Sequence, residues 1–525
     1  MVLSKYDVIV VGSGNAGFSA AASAVENGAK SVLLLEKSPE NWAGGNTTFT
    51  AGAYRTVFYG LEDVLPLTEN VTPEIAKQID MDPYLEKDFE ADIRRVTNFR
   101  TDPILSKILV DESRETTKWL HSNGIKFQLS FNRQAYQIDG RYKFWGGMVL
   151  AVEDGGKGLT SQHRANASKK GIEVLYESPV TRLITDFSGS DVIGVTFITA
   201  SGATQDAFSK GGVILCAGGF EANPSMRAQY LGPNWDLAYV RGTPYNTGDC
   251  LKIAIRDVAA KVTGNWSGCH SVAWDANAPA NSGDLTLTNQ FTKSGYPIGL
   301  MFNANGERFV DEGIDMRNFT YAKFGREILK QLNGIAFQVW DGEGVKWLRD
   351  EEYGDGVVEK VVADTVDELA EKLEAKGLMN SRSFTDSIHA YNLAVEAHRN
   401  ENPELSFDLS KKDGLSTRST KGGLPLDKTN WALPITQAPF LAVKVTCGIT
   451  FTFGGLAIDP QTAGVISEST NKPITGLYCA GEMMGGLFYG NYPGGSGLTS
   501  GAVFGRKAGR SAAIRAGELE AENGV

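Results

Sequence analysis

The sequence has little cysteine, little histidine and no long apolar run. Five cysteines (Cys216, Cys250, Cys269, Cys447 and Cys479) stand among 525 residues, and none sits in a Cys-x-x-Cys or Cys-x-x-Cys-His pattern. This excludes a disulfide scaffold, a zinc ribbon, a cysteine-ligated iron–sulfur cluster and an attached c-type haem. The five histidines (His121, His163, His270, His389 and His398) include no His-Glu-x-x-His, so no metal site is expected. No apolar stretch approaches the roughly 18 residues of a membrane-spanning helix. The N-terminus has no signal-peptide pattern, and the C-terminal GELEAENGV carries no peroxisomal or lipidation box. The expectation is a cytoplasmic protein without membrane insertion. Positive charge is also in deficit, with 51 Lys and Arg against 62 Asp and Glu and a net charge of −11. With no basic cluster, nucleic acid is excluded as a partner.

Glycine, by contrast, is plentiful, at 60 residues. It has no collagen-like period, so it marks tight turns and close backbone approaches. The length suits two or three domains.

Tyr6 to Val11 (YDVIVV) reads as a buried parallel strand. Gly12-Ser13-Gly14-Asn15-Ala16-Gly17 follows, then a small-residue helix ending at Gly28, then the strand Ser31 to Leu35 with Glu36 at its end. In such a β-α-β unit Gly12 permits the strand-to-helix turn, Gly14 lets the backbone approach a pyrophosphate, and Gly17 lets the helix pack on the sheet. The helix N-terminus favours phosphate. Glu36 lies about 20 residues further on, where a carboxylate accepts ribose hydroxyls and repels an NADP 2′-phosphate.

Later glycine segments argue for a long dinucleotide gripped by distant parts of the chain, FAD rather than NAD. Lys37 and Ser38 lead to Gly44-Gly45-Asn46-Thr47 and to Ala51-Gly52. Ala217-Gly218-Gly219 follows another apolar run. Gly481-Glu482 ends a late strand, and Gly494, Ser496, Gly497 and Leu498 belong to a glycine loop opening a final helix. Val180, Thr247 and Asp249 complete the residues assigned to the cofactor.

Elsewhere, residues 72–124 read as helical, stopped at Asn123-Gly124, and 172–215 as a strand meander returning to a core strand. Residues 264–300 read as loop. Thr365 to Glu368 reads as a capping box and 387–399 as a helix, with His389 and His398 facing solvent. Strands are expected again in PFLAVKVTC, LAIDP, AGVIS and GLYCAGE. The expected fold is α/β. A discontinuous Rossmann-like FAD-binding domain (1–245 and 440–525) carries an inserted α+β capping and substrate domain (246–439).

The motifs VIVVGSGNAG, LLLEKSPENWAGGNT, ILCAGGF, NTGD, NGERFVDE, GLYCAGE and YPGGSGL run nearly the length of the chain. On these the chain resembles the flavoprotein subunit family of succinate dehydrogenase and fumarate reductase. L-Aspartate oxidase and 3-ketosteroid Δ1-dehydrogenase are relatives of that family. GGNTTFTAGAYR, RFVDEGIDMRNFTYAKFGR and LFYGNYPGGSGLTSGAVFGR look most like its tricarballylate dehydrogenase branch.

The resemblance implies FAD between the two domains. It also implies hydride exchange with a substrate carbon next to a carboxylate or carbonyl. WAGGNTTFTAG has no histidine where some branches attach the flavin, so the FAD is expected to be noncovalent. Arg317 matches the family's catalytic arginine with one extra residue of spacing, and Arg326 is the second choice. Asp311, Glu312 and Asp315 are the neighbouring carboxylates in the sequence. His270 matches a substrate-contacting histidine. Phe451 stands where a second substrate histidine is expected, Tyr492 where an arginine clamps a carboxylate, and the proton-path Glu and Arg are missing from 292–299. A dicarboxylate needs cations to offset its desolvation.

Two enzymatic readings follow. The first acts on a bond α,β to a carboxylate, with Arg317, His270 and Arg55 or Arg326 as the charges. The second acts on an enone or steroid ketone, led by Tyr492 and Tyr321. The third reading is an electron-carrying flavoprotein with no substrate of its own. Besides a small-molecule substrate, an unidentified electron donor or acceptor is implied.

Overall fold

The computed structural model describes residues 5–420 and 422–522. The chain divides into two compact units. Met1–Gly232, Gly242–His270 and Thr450–Val525 form the first, and Pro233–Arg241 with Ser271–Ile449 form the second.

The first unit is built on a six-stranded sheet in the order Glu173–Leu175, Val32–Leu35, Val8–Val11, Val213–Leu215, Pro473–Cys479, Gly464–Ile466. All neighbours are parallel except the last pair. Its central strands are the β-branched and leucine runs VIVV, VLLL and VIL, every residue of them buried, as a sheet covered on both faces requires. The register sets Val10 beside Leu34 on one side and Ile214 on the other, with Ile214 beside Tyr478. Thus Gly12, Cys216 and Ala480 leave the sheet at the same edge, its carboxyl end, where ligands of such sheets bind. A three-stranded antiparallel meander, Val180–Thr185, Val192–Ile198 and Thr204–Ser209, forms a second sheet together with the short strand Lys5–Tyr6, which pairs parallel with its last strand.

Two small-residue helices pack unusually closely. Asn15–Glu26 buries Ala20, Ala21 and Ala24. The final helix, Ser496–Glu522, turns Gly505 and Gly509 toward it. A Cβ on Gly505 would lie 2.6 Å from the Ala16 carbonyl oxygen, and one on Gly509 2.1 Å from that of Ala20. Only glycine admits this approach.

In the second unit, Ala336–Trp340 pairs antiparallel with Leu300–Phe302 and with residues 441–445 of the long strand Phe440–Leu456. Helices Val366–Glu374 and Ser381–Glu401 supply Leu369, Leu373, Phe384 and Tyr391 to the core beneath these strands. Thr365 caps the first of them by accepting from the Glu368 amide at 3.1 Å, and Glu368 accepts in turn from the Asp364 amide at 3.0 Å. His389 is exposed, but His398 is buried, its ring nitrogens against the carbonyls of Arg418 and Gly414. The expectation of solvent there fails because the segment 414–418 covers that helix face.

Residues 264–300 begin not as loop but as a 14-residue strand, Val262–Asp275. Its Gly, Ser and Asn content gives it little intrinsic strand preference; pairing with Phe440–Leu456 forms it. Among the described residues no helix is long and apolar enough to cross a membrane.

Candidate active site

Every residue assigned to the cofactor lies in the first unit. Along the first turn, buried Ser13, Asn15 and Gly17 alternate with half-buried Gly12, Gly14 and Ala16, so one edge of the backbone stays open. The turn is shaped by contact. Gly12 has φ +102°, and a Cβ there would lie 2.3 Å from the Cys216 carbonyl oxygen. On Gly17 it would lie 1.9 Å from that of Gly12. On Gly14 it would meet nothing nearer than 3.5 Å, which leaves that backbone approachable.

Glu36 is held rigidly. One carboxylate oxygen accepts from the amide and hydroxyl of Ser13, and the other from the Ser38 amide at 2.8 Å. The Ser13 hydroxyl also accepts from the Gly44 amide at 3.0 Å, tying the second glycine segment to the first. Thr47 Oγ1 accepts from the Asn15 amide at 2.9 Å. Lys37 reaches Thr247 Oγ1 at 2.7 Å and Asp249 at 2.6 Å. Burial disfavours the Asp249 charge, but its bonds to Lys37 and Thr247 prevail and hold its pKa below the ordinary carboxylate value. Val180 is buried at the start of the meander, two residues past Ser178, whose amide bonds the Glu36 carbonyl at 2.8 Å.

Gly45 has φ +54° with open space where a Cβ would stand, and Gly52, after Ala51, has φ +64°. Both belong to a loop pressed by a helix whose role the sequence did not disclose, Gly155–Lys169. A Cβ on Gly156 would lie 2.0 Å from the Thr47 carbonyl oxygen, and its amide donates to that of Thr50 at 3.0 Å. The signal was the unread glycine run 155–158.

The late glycine loop is tied back to the first. Asn15 Nδ2 donates to the Leu498 carbonyl at 2.8 Å, while Asn15 Oδ1 accepts from Tyr54 Oη at 2.7 Å and faces His163 Nε2 at 3.0 Å. Burial pushes the His163 pKa down to about 3, so this ring is neutral and donates through Nε2. Arg55 is also assigned here by structure. It is fully buried, its Nε donating to Gly494 O at 2.8 Å and its Nη1 reaching Tyr84 Oη at 2.9 Å and Asp92 at 3.2 Å. Arg55 is thus a clamp on the loop that carries Gly494, Ser496 and Gly497.

At the other end, half-buried Ala217, Gly218, Gly481 and Glu482 surround the sheet edge with Asn46. A Cβ on Gly219 would lie 2.2 Å from Glu482 Oε1, and one on Gly218 2.4 Å from Asn246 Nδ2. Beside them stands an aromatic cluster. The His270 ring lies 4.7 Å from that of Tyr492 and 5.7 Å from that of Phe451. Phe451 lies 5.0 Å from Tyr492 and 5.1 Å from Phe453, and Phe488 lies 5.4 Å from Tyr492. A Cβ on Gly497 would lie 3.8 Å from each of the Phe451 and Tyr492 rings. Tyr492 and His270 are therefore neighbours, as the two residues singled out for substrate.

Arg317, Tyr321 and Arg326 lie in the second unit. Arg317 opens a short 3-10 turn, Arg317–Phe319, and Tyr321 and Arg326 belong to the helix that follows, Tyr321–Leu329. All three are half-buried. Tyr321 packs against the buried cluster of Trp274 and Phe291. Of the carboxylates near Arg317 in sequence, Glu312 binds Arg308, Asp311 binds Thr429, and Asp315 pairs with Lys412.

The first unit fits a flavin dinucleotide. Its open backbone edge at a helix N-terminus suits a pyrophosphate, Glu36 suits ribose hydroxyls, and its glycine segments converge from five parts of the chain. Among the described residues no cluster of His, Cys, Asp or Glu could hold a metal ion.

Comparison with known proteins agrees. The FAD binding domain family matches residues 7–498. The probable fumarate reductase Ifc3 of Shewanella frigidimarina is 28% identical over 97% of this chain and 75% of its own. The vinyl phenol reductase of Lactiplantibacillus plantarum is 26% identical over 98% of each chain. The crystal structure of 3-ketosteroid delta1-dehydrogenase from Sterolibacterium denitrificans shares the fold. Its TM-score is 0.72, with 20% identity over 97% of this chain and 100% of that one. The family match spans both ends of the discontinuous sheet as well as the segment between them, and the chain belongs to the FAD binding domain family, with FAD as its cofactor.

Proposed function

We propose that the protein is an FAD-dependent oxidoreductase acting on carbon–carbon bonds. In this reading hydride moves between the flavin and a carbon conjugated to a single carbonyl or carboxyl group, on a substrate whose remaining body is apolar. Bound FAD supplies the two-electron hydride chemistry. The chain supplies binding, orientation and the proton.

The aromatic cluster carries this reading. In this reading His270 and Tyr492 turn polar tips to one electron-withdrawing group, while the half-buried ring of Phe451, backed by buried Phe453 and Phe488, meets an apolar body. A dicarboxylate would need cations at the positions held by Phe451 and Tyr492. The two named reductases fit the chemistry, since fumarate and a vinyl phenol both present a carbon–carbon double bond. Vinyl phenol pairs its double bond with an aromatic body, which is the combination the Phe451–Tyr492 wall suits.

The proton at the neighbouring carbon is assigned to Arg317, with Tyr321 and Arg326 one turn and two turns on. A guanidinium is ordinarily far too weak an acid for this work, so the assignment requires a short relay to a carboxylate. Electrons come from, or leave to, a donor or acceptor still to be identified.

A panel of fumarate, tricarballylate, an aryl acrylate and a cyclic enone decides the substrate class. Photoreduced enzyme is mixed with each, and flavin reoxidation is followed under nitrogen. The aryl acrylate or the enone should reoxidise the flavin at least about tenfold faster, at equal concentration, than either polycarboxylate. Faster reoxidation by fumarate or tricarballylate would overturn the apolar-substrate reading.

A further inference from the structure

Beneath the cofactor segments two acidic side chains meet. Glu221 follows Gly218-Gly219-Phe220 and is fully buried. Its Oε1 accepts from Asn46 Nδ2 and from Asn246 Nδ2, each at 2.6 Å. Its Oε2 is equally buried and meets no conventional donor among the described residues. The neighbouring side chain there is the Glu482 carboxyl. Glu482 accepts on its other side, Oε1, from the Thr452 amide at 2.7 Å and the Thr452 hydroxyl at 3.2 Å.

Two ionised carboxylates cannot hydrogen-bond one another, since each is acceptor only. The Arg227 guanidinium donates to the Glu221 main-chain carbonyl. The groups that bond the pair include the neutral side-chain amides of Asn46 and Asn246 and the amide and hydroxyl of Thr452. Burial, then the mutual repulsion of the two groups, raises both pKa values above the ordinary carboxylate range. Adjacent carboxyls that cannot both ionise hold one proton between their oxygens.

The pair also ties together segments far apart in sequence. Asn46 Nδ2 donates to the Thr450 carbonyl as well as to Glu221, and Asn46 Oδ1 accepts from the Thr243 amide at 2.9 Å. Asn46 and Glu482 are half-buried, whereas Glu221 is fully buried.

We propose that Glu221 is a positioning residue for FAD: it shares a proton with Glu482, and so orients the Glu482 carboxyl toward the cofactor and holds Asn46 in place beside it. This rests on the FAD reading of the first unit and adds a proton-dependent grip to it. Loss of the shared proton sets two like charges against each other and releases Glu482 and Asn46.

Two measurements test this on the full chain. Infrared spectra at neutral pH, with and without 13C-glutamate labelling, should show a carboxylic acid C=O band that is label-sensitive. That band should vanish in both Glu221→Gln and Glu482→Gln, because either change leaves a lone carboxylate. The band is read on protein with or without FAD, so it decides the pair even if the cofactor assignment fails. The second measurement is FAD dissociation, followed by the recovery of flavin fluorescence between about pH 6 and about pH 9. Wild type should lose affinity by about tenfold across that range, the change expected for a lost charge-assisted hydrogen bond. Glu221→Gln, whose amide still donates to Glu482, should bind FAD nearly as wild type does at the lower pH and show a flat profile. Glu221→Ala should bind about tenfold more weakly throughout. No acid band in the wild type, or a Glu221→Gln profile as steep as that of the wild type, would overturn the proposal.

Discussion

His163 shows how one buried side chain sets a pH limit on the molecule. Its ring is stacked on Phe18 at 5.5 Å, fixed to Asn15 and buried away from the solvent an imidazolium needs. Its pKa falls from an ordinary 6.5 to about 3. In the unfolded chain it titrates normally, so below pH 6.5 the unfolded state takes up a proton that the folded state refuses. The contribution is therefore fully present above the unfolded pKa and is lost as the pH falls from there toward 3. The slope is about 1.4 kcal/mol per pH unit for the single proton. Denaturant unfolding from neutral pH to about pH 4.5 should show this slope in the wild type and a shallower one in His163→Gln, which keeps a donor for Asn15 but cannot ionise. Equal slopes would mean that the acid sensitivity lies elsewhere, in the carboxylates. Nothing in the sequence singled out His163, because its importance comes from Asn15 and Phe18, which reach it only through the fold.

Elements were legible where one period or one residue type dominated. The runs VIVV, VLLL and VIL announced central parallel strands, and the spacing around Gly12 announced the turn that follows them. Within the meander the strand Thr204–Ser209 gave no signal of its own, because TQDAFS is mostly exposed and polar and is held by the hydrogen bonds of the strands on either side of it. Val262–Asp275 was read as loop for the same reason in reverse: its partner is nearly two hundred residues away. Arg55 was read as substrate charge, since Tyr84, Asp92 and Gly494 cannot be paired with it from sequence. That clamp yields an element-scale prediction. Arg55→Lys keeps the charge but loses the planar fork that reaches Gly494 and Tyr84 together. A destabilisation of about 2 kcal/mol is expected from one lost charge-assisted bond in a buried site. Since the clamped loop carries the late glycine segment, FAD affinity should fall with it. Thermal melting and flavin fluorescence check both effects, and wild-type values in both would show that the loop holds its shape without Arg55.

On the scale of the whole molecule, the two units divide the labour as the reading of the function requires. All the residues assigned to FAD lie in the first unit, and Arg317, Tyr321 and Arg326 lie in the second. A change confined to Arg317 should therefore spare the cofactor while removing the proton step. Arg317→Ala should purify yellow, with flavin absorbance near about 450 nm at wild-type stoichiometry. Its turnover should fall by about 10²–10⁴-fold, the usual contribution of a positioned acid or base. Arg317→Lys should recover little of that loss, because a single ammonium cannot keep one hydrogen bond to a relay partner while offering a second along the same plane. Buffer dependence separates this role from simple substrate binding. If Arg317 relays the proton, small acids of suitable pKa should partly restore turnover in Arg317→Ala without changing KM, whereas a residue that only binds substrate would show a raised KM and no rescue. Turnover within about threefold of wild type in Arg317→Ala would remove the arginine from the chemistry. The proton would then fall to a donor in the first unit, where Tyr492 and His270 already stand together.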